Sequence, residues 1–392
     1  MRVLRRFAAL FVLSAPLVLA SSGQAVNGHA NYHAVCPGAE IDSARCHAEV
    51  VTDERGNPNA TTSPTGLGPQ DFWSAYNLPA TVGAGQTISI VDAFDYPTAE
   101  TDLNAFSSQY GLPACTTANG CFSKVNQNGG SNVRKYRTNS SWSLEASLDI
   151  ETAHGICPSC KIVLVEAQTN SFANLSTAED TAASLGNVIS NSYGGSEFSG
   201  ETGSSYDGHY NHPNHAITVS SGDSGYGAQY PATSQYVTAV GGTTLTQSGG
   251  ARGWSESAWS GAGSGCSAYE PQPSWQFDAA TSCSRRAEAD VSADADPSSG
   301  ASVYDTTSYQ GQSGWFKVGG TSLAAPLVAG VYALAGDVSS ANYPVQRAWT
   351  NHSTFNDVSS GSNGSCGAPL CTATAGWDGP TGWGTPWGTT GF

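Results

Sequence analysis

The sequence predicts an α/β protein built on a doubly wound, mostly parallel β-sheet with helices on both faces. Three observations support this fold class. Short apolar, β-branched runs alternate along the chain with segments of helical pattern, which is the order of a doubly wound sheet. The apolar runs are continuous rather than alternating, as expected of parallel strands covered on both sides. A chain of 392 residues can also bury one large core.

The predicted elements follow one another from residue 87 to residue 335. Strands are predicted over residues 87–93, 161–167, 188–192, 216–221 and 236–240. Helices are predicted between and after them, over residues 98–110, 143–155, 176–185 and 322–335. In such a sheet ligands bind beyond the carboxyl ends of the strands, so we expect the functional residues to lie there.

Composition narrows the classes of function. Charged residues make up only 12% of the chain, and the formal net charge is -16. This acidic balance argues against nucleic acid or an anionic membrane as a partner, because both attract patches of lysine and arginine. The apolar fraction of 39% excludes wholesale disorder. We therefore expect a folded, monomeric protein with no nucleic-acid partner.

The first 25 residues have the pattern of a signal peptide. Arginines precede the apolar run of residues 7–20, which is short for a membrane span. Small residues at the end of this run, or at Ala25, supply a cleavage site. An uncleaved membrane anchor is the alternative, which Ser14, Pro16 and the brevity of the run disfavour. We expect a secreted, extracellular protein that has no membrane association after cleavage.

The cysteines support export. Ten cysteines fall into five local pairs, namely Cys36/Cys46, Cys115/Cys121, Cys157/Cys160, Cys266/Cys283 and Cys366/Cys371. Disulfides persist in an oxidising compartment, and sequential pairing would give five small loops, although sequence alone leaves the connectivity open. The pair Cys157/Cys160 imitates a redox C-x-x-C motif, but in an exported chain we expect a structural bridge.

A candidate nucleophile stands at the start of the last predicted helix. Gly319, Gly320 and Thr321 precede Ser322, and an apolar helical segment follows. Unpaired N–H groups and the dipole at a helix N-terminus favour negative charge that develops there. The alternative is an ordinary serine N-cap. We predict that Ser322 is a nucleophile.

A candidate base lies in the predicted helix 143–155. Glu145 and Asp149 are four residues apart, so on a helix they share one face with Cβ atoms about 5–6 Å apart. Like charges this close hold one proton between them and titrate as a pair. Such a pair can accept a proton from serine in acid, where histidine is already charged. A solvated acidic face is the alternative.

A third acidic residue follows a predicted strand. Asp223 lies between Gly222 and Ser224 at the carboxyl end of the segment 216–221. A protonated carboxylic acid can donate a hydrogen bond to an oxyanion. A turn aspartate that bonds to its own backbone is the alternative.

Together, in this order and spacing, these motifs resemble the sedolisin family of serine-carboxyl peptidases, over residues 66–392. The resemblance implies a subtilisin-like fold and a serine-type endopeptidase that hydrolyses proteins or peptides at acidic pH. It implies that Ser322 is the nucleophile, Glu145 the general base and Asp149 its orienting partner. It also implies that Asp223 belongs to the oxyanion hole.

The resemblance further implies one calcium ion near the C-terminus. Calcium takes about six to eight oxygen ligands from carboxylates and carbonyls. Asp357 and Asp378 would supply carboxylates, and Val358, Thr374 and Gly376 would supply backbone oxygens. Thr374 stands where the family often has glycine. Two ordinary turns are the alternative.

The chain departs from the family at its N-terminus. Family members usually carry a long pro-domain that blocks the cleft, whereas here only residues 26–65 lie between the predicted signal and the catalytic domain. This segment contains Cys36 and Cys46. It is a remnant, a strap on the domain or an unrelated addition.

Other functions remain possible. Asp92 and His154 would act with Ser322 in a true subtilisin, but His154 lacks the sequence context of the subtilisin histidine, so both are interpreted as structural. A glycosidase also uses paired carboxylates, yet it has no need of a serine at a helix start. An inactive binding protein on the same scaffold is the third alternative, disfavoured because all four predicted site residues are intact.

Overall fold

A computed structural model describes residues 31–38, 40–79, 86–131, 136–276, 281–336, 338 and 341–392. The predicted signal peptide lies outside the described residues. Within the described ranges, no helix combines the length and the apolar character needed to cross a membrane.

The described chain contains strands and helices in an alternating order. The strands are β1 (Tyr32–Ala34), β2 (Arg45–Cys46), β3 (Glu49–Val51), β4 (Thr87–Ala93), β5 (Phe122–Asn126), β6 (Lys161–Ala167), β7 (Val188–Asn191), β8 (Tyr193–Ser196), β9 (Ala216–Ser220), β10 (Gln229–Tyr230), β11 (Thr238–Gln247), β12 (Trp254–Ala258), β13 (Gly265–Cys266), β14 (Ala287–Glu288), β15 (Val291–Asp294), β16 (Ala301–Tyr309) and β17 (Gln312–Gly319). The α-helices are α1 (Pro69–Ala75), α2 (Ala99–Tyr110), α3 (Ser140–Ile156), α4 (Phe172–Leu185), α5 (Thr321–Ala335) and α6 (Val345–Thr350).

The central sheet is mostly parallel, as predicted. Its strand order is β12-β11-β9-β7-β4-β6-β5, with β15 beside β11. Every neighbouring pair in it is parallel except β11 and β12. Ile88 of β4 lies opposite Ile162 on one side and Val188 on the other, and all three side chains are buried. The predicted α/β fold class is therefore confirmed.

Helices cover both faces of this sheet. Side chains alternate between the two faces of a strand. On β4, the Ser89 hydroxyl donates to the Ala182 carbonyl of α4, whereas the Asp92 carboxyl interacts electrostatically with Asp149 of α3. Ser89 and Asp92 are three positions apart on β4, so their side chains point to opposite faces of the sheet. Helices α4 and α3 therefore lie on opposite faces.

Two helices, α3 and α4, begin earlier than predicted because of the residues that cap them. Helix α3 begins at Ser140 rather than residue 143, because the Asn139 side chain accepts from two N–H groups of the first turn. Helix α4 begins at Phe172 rather than residue 176, because the Ser171 side chain accepts from the Asn174 N–H. Strand β11 continues beyond residue 240 to Gln247, since it leaves β9 and pairs onward with β15 and β12.

The N-terminal segment pairs with the rest of the protein. Strands β1, β3, β17 and β16 form one sheet, and β10, β8 and β2 form another. Five disulfides join the cysteines in sequential order: Cys36–Cys46, Cys115–Cys121, Cys157–Cys160, Cys266–Cys283 and Cys366–Cys371. The bridge from Cys36 to Cys46 closes a loop within the N-terminal segment.

Candidate active site

Ser322 lies in the first turn of α5, just beyond the carboxyl ends of the parallel strands. Gly320 occupies the N-cap position with a φ of 94°, so Ser322 does not cap the helix. The Ser322 side chain is buried, and its hydroxyl donates to the Ser192 carbonyl at 3.2 Å. Because first-turn N–H groups have no partner inside the helix, the Ser322 N–H is available to another acceptor.

Glu145 and Asp149 lie on consecutive turns of α3. Both side chains are fully buried, which excludes the solvated acidic face considered as an alternative. Asp149 Oδ1 accepts from the Ser192 hydroxyl at 2.8 Å. Neither oxygen of Glu145 has a hydrogen-bond partner of normal geometry among the described residues. A buried ionised carboxyl without a partner is costly, so burial favours the protonated form of Glu145.

The carboxyl of Asp92 interacts electrostatically with Glu145 and Asp149. Burial is the main cause that raises the pKa of Glu145 well above its ordinary value, and the charges of Asp149 and Asp92 add to it, while the nearby Ser322 hydroxyl opposes the rise. Burial likewise raises the pKa of Asp149 and of Asp92. Carboxyls in one dry site cannot all ionise, so they share protons.

Asp223 lies in the turn after β9. Its Oδ1 accepts from both the N–H and the hydroxyl of Thr321, at 2.8 Å each, and not from its own turn. Its Oδ2 has neither solvent contact nor a partner among the described residues. Burial raises the pKa of Asp223 to about 7, although the two bonds from Thr321 lower it. In acid the carboxyl is therefore protonated, and Oδ2 is the oxygen free to carry a donated proton.

The backbone carbonyl of His47 lies between the Ser322 N–H and the Asp223 carboxyl. The Ser322 N–H donates to the His47 carbonyl at 3.1 Å. A Cβ built on Gly320 would be 2.0 Å from that carbonyl oxygen and 2.6 Å from Asp223 Oδ2, so both oxygens crowd the same Cα atom. Glycine is required there both for the close approach and for the positive φ. The Ser322 N–H and Asp223 thus surround the position of a carbonyl oxygen.

The histidine considered for a subtilisin-type triad lies elsewhere. His154 Nε2 bonds to the Pro113 carbonyl at 3.0 Å. It is nine positions along the helix from Glu145, which corresponds to about 14 Å along the axis. The histidine beside Ser322 is His47, whose imidazole bonds to the side chains of Ser220 and Gln229. Among the described residues no imidazole bonds to the Ser322 hydroxyl.

Sequence reasoning missed several neighbours of the site. Ser192, which bonds to Asp149 and accepts from Ser322, is the last residue of the predicted strand 188–192, and that position is its only signal in the sequence. Glu49 is buried beside Asp223, and burial together with that charge raises the pKa of Glu49 to about 8. Glu49 and His47 come from the N-terminal segment, and no motif in the sequence connects them to the site.

The predicted calcium ligands lie around one loop. Asp357 Oδ2 accepts from the Gly376 N–H, and Asp378 Oδ2 accepts from the Thr374 N–H, at 3.0 Å each. Burial raises the pKa of Asp378 to about 7, and the charge of Asp357 contributes. In the part of the chain that is described, the carbonyls of Val358, Thr374 and Gly376 accept no hydrogen bond. Two carboxylates and free carbonyls suit a hard cation such as calcium.

Comparison with known proteins identifies a family and several relatives. The sequence model described as the Subtilase family matches residues 123–384. The chain is 28% identical over 390 residues to Sedolisin of Pseudomonas sp. (strain 101), covering 87% of this chain and 63% of that protein. It is 30% identical over 371 residues to Kumamolisin of Bacillus sp. (strain MN-32), covering 84% and 63% respectively. The chain thus spans less than two thirds of the length of these relatives.

The fold also matches a solved structure, that of Pseudomonas sedolisin, a serine-carboxyl proteinase, complexed with two molecules of pseudo-iodotyrostatin. The TM-score is 0.68 at 28% identity, and the match covers 83% of this chain and 96% of the other.

Proposed function

Because the chain belongs to the subtilase family, and within it is related to the sedolisins, we propose that it is a serine-carboxyl endopeptidase that hydrolyses proteins or peptides at acidic pH. The observation that carries the proposal is the buried Glu145 carboxyl, which lies beside the Ser322 hydroxyl and has no hydrogen-bond partner of normal geometry among the residues that the structure describes. A serine needs a neighbouring base to become a nucleophile. Glu145 is the base that the geometry offers.

The proposed steps assign one task to each group. The Ser322 hydroxyl attacks the peptide carbonyl and passes its proton to Glu145, which then gives a proton to the leaving amine. Asp149, held by Ser192, shares the charge of Glu145 and orients it. The Ser322 N–H and protonated Asp223 donate to the oxyanion, a contribution typically worth about 10²–10³ in kcat for each donor. Water then releases the acyl group from Ser322.

The pH dependence follows from these roles. Activity requires Glu145 to be ionised, so it falls in strong acid when the pair holds two protons. It also requires Asp223 to be protonated, so it falls as the pH rises through the pKa of Asp223, which is about 7. A histidine base would give the opposite trend, with activity rising through neutral pH. We therefore expect an optimum below pH 7.

The proposal extends to location and processing. Residues 1–25 act as a signal peptide, residues 26–65 form a short N-terminal segment and residues 66–392 form the peptidase domain. Five disulfides support an extracellular location, since such bonds persist where the environment is oxidising. We further propose that the enzyme acts as a monomer on protein or peptide substrates.

One calcium ion is part of the proposal. Asp357 and Asp378 would bind it through carboxylates, and Val358, Thr374 and Gly376 through carbonyl oxygens. When bound, it would supply positive charge to the buried Asp378 and hold the C-terminal loops together.

The test is casein digestion between pH 2.5 and pH 8 by the wild type and by Ser322→Ala. We expect acid-dependent digestion that Ser322→Ala abolishes without lowering the melting temperature. A glycosidase would be unaffected by this substitution, and a binding protein would digest nothing. His154→Gln is the control for the subtilisin alternative. If His154→Gln fails to digest casein while Glu145→Gln remains active, the assignment of Glu145 as the base is overturned.

A further inference from the structure

Two imidazole rings contact one carboxylate beside α4, away from the catalytic groups. His209 Nδ1 lies 2.7 Å from Asp180 Oδ2, and His212 Nε2 lies 3.2 Å from Asp180 Oδ1. Asp180 belongs to α4, whereas both histidines belong to the segment that connects β8 with β9. Helix α3, which carries Glu145 and Asp149, covers the other face of the central sheet. The histidine cluster therefore has no part in the catalytic site described above.

The backbone that carries the two histidines is fixed by contacts of its own. It begins with a 3₁₀ turn over Asp207–His209. Tyr210 is fully buried, and its ring packs edge-on against that of Tyr230, with ring centroids 5.9 Å apart. Further along, the Asn214 N–H donates to the Asn342 carbonyl at 2.8 Å. The imidazoles are thus presented from an ordered piece of chain, and pre-organised groups lose less entropy when they bind a ligand.

The spacing of the two histidines places both rings on one side of this segment. Between residues 207 and 211 the chain winds in tight turns, in which the Tyr210 N–H donates to the Asp207 carbonyl at 3.0 Å. Side chains three residues apart eclipse one another in such turns. His209 and His212 are three residues apart, and their rings accordingly contact the same carboxylate.

One ring nitrogen of the cluster is not satisfied by hydrogen bonding. His212 Nε2 is shielded from solvent and has no hydrogen-bond partner of normal geometry among the described residues. It lies near Asp180 Oδ1, but distance without the right direction makes only a weak hydrogen bond. A buried polar atom left in this state costs free energy. A cation between this nitrogen and the carboxylate would remove that cost.

The donor set selects the class of cation. Calcium and magnesium prefer oxygen ligands, whereas imidazole nitrogens suit zinc, copper and nickel. Zinc holds nitrogen and oxygen ligands at about 2.0–2.2 Å, so neighbouring ligands in a tetrahedral site lie about 3.3 Å apart. The two nitrogen–oxygen distances to Asp180 are 2.7 Å and 3.2 Å. The nitrogens contact different oxygens, so the Asp180 carboxyl and the His209 ring must turn to face one ion. Their side chains are 48% and 29% exposed and have room to do so.

We propose that His209, His212 and Asp180 bind one divalent transition-metal ion, for which zinc is the test ion, and that this ion joins residues 207–215 to α4. The ion replaces the proton on His209 Nδ1, and the other nitrogen of each neutral ring keeps a proton. A water molecule completes four ligands. The unfolded chain cannot present these three side chains together, so the bound ion stabilises the folded protein.

The experiment measures zinc bound by untagged, full-length protein at pH 7.5, where imidazole is mostly neutral. Excess calcium is present so that the predicted calcium site does not take up zinc. No free thiol competes, because the ten cysteines form five disulfides. We expect one zinc ion per chain by equilibrium dialysis with metal analysis, and a melting temperature that rises with the zinc concentration. Cobalt in the same site should give the strong visible absorption of tetrahedral coordination.

Three variants and one control locate the ion. His209→Ala, His212→Ala and Asp180→Asn should each weaken zinc binding at least about tenfold, since even changes outside the coordination shell cost about 10–100-fold. Asp180→Asn is nearly isosteric, so it keeps the test valid if an alanine variant folds poorly. His215→Ala is the matched control. His215 lies in the same segment, but its two ring nitrogens lie 3.0 Å from backbone carbonyls, so this variant should bind zinc as the wild type does.

The outcomes decide between a metal site and a pair of simple ion contacts. Absence of zinc binding in excess calcium would overturn the inference, as would zinc binding that persists in the double variant His209→Ala/His212→Ala. A loss in His215→Ala equal to that in the three ligand variants would also overturn it. Casein digestion in acid should be the same in all these proteins, because none of the substituted side chains contacts the catalytic groups. The metal site and the proposed peptidase function can therefore fail independently.

Discussion

The proton on Asp223 offers the sharpest test of the mechanism, through the substitution Asp223→Asn. The asparagine oxygen can replace Oδ1 and accept from the N–H and hydroxyl of Thr321. Its amide group then takes the position of Oδ2 and donates to the oxyanion at every pH. This variant therefore keeps the geometry and removes only the titration.

The size of the effect follows from the pKa of Asp223, which burial raises to about 7. At pH 5 about 1% of such a carboxyl is ionised, and at pH 8 about 90%. The wild type should thus lose about tenfold in kcat between pH 5 and pH 8, whereas Asp223→Asn should not. Asp223→Ala removes the donor at every pH, and we expect kcat to fall by about 10²–10³, or about 2.7–4 kcal/mol.

The assay is the initial rate of hydrolysis of a quenched peptide from pH 3 to pH 9, with kcat and KM separated and the melting temperature recorded. Glu49 and Arg45 also act on the charge of Asp223, so Glu49→Gln is the control for a neighbouring titration. An alkaline limb that stays at the same pH in Asp223→Asn would refute the assignment. So would an unchanged kcat in Asp223→Ala.

Other substitutions test the base, the helix packing and the metal site. Glu145→Gln should lower kcat by about 10²–10⁴ with the melting temperature retained, and full activity in initial-rate measurements would contradict the assigned base. Gly330→Val should destabilise urea unfolding by about 1–3 kcal/mol, because a Cβ there lies 2.5 Å from Ile156; Gly249→Ala, in open space, should change little. Burial raises the pKa of Asp378 to about 7. Without calcium, the folded protein therefore holds a proton that the unfolded chain releases, so the free energy of unfolding falls as the pH rises from about 4 to 7. Calorimetry should show that calcium reverses this loss and that Asp378→Asn removes both effects.

Local patterns predicted the framework of the site. The strand ending at Ala93 and the strand ending at Ala167 are observed with the predicted bounds, because continuous β-branched runs have few other stable placements. The i, i+4 spacing of Glu145 and Asp149 predicts that they share a helix face, and the glycines before Ser322 predict a turn. Both predictions use only residues that are close in the sequence. Such features are readable because helix geometry and glycine conformations are local properties.

Contacts between segments that are far apart in the chain could not be predicted from the sequence. The helix starts at Ser140 and Phe172 were missed because a cap depends on side-chain geometry as well as residue type. Asp92 is buried and interacts electrostatically with Asp149, which its position in the sequence does not indicate. That proximity arises from packing α3 on β4, and a residue's own neighbours in sequence carry no sign of it.

The sequence by itself determined the fold class, the order of the elements and the residue types available for proton transfer, since these follow from short-range periodicity and spacing. Only the tertiary structure decided which carboxyls are dry, which carbonyl meets the Ser322 N–H and where residues 45–51 lie. Burial and antiparallel pairing join residues that are hundreds of positions apart, as with Gly319 and Glu49. The free energy of an ionised group depends on that assembled environment, so the reactivity of the site belongs to the folded molecule.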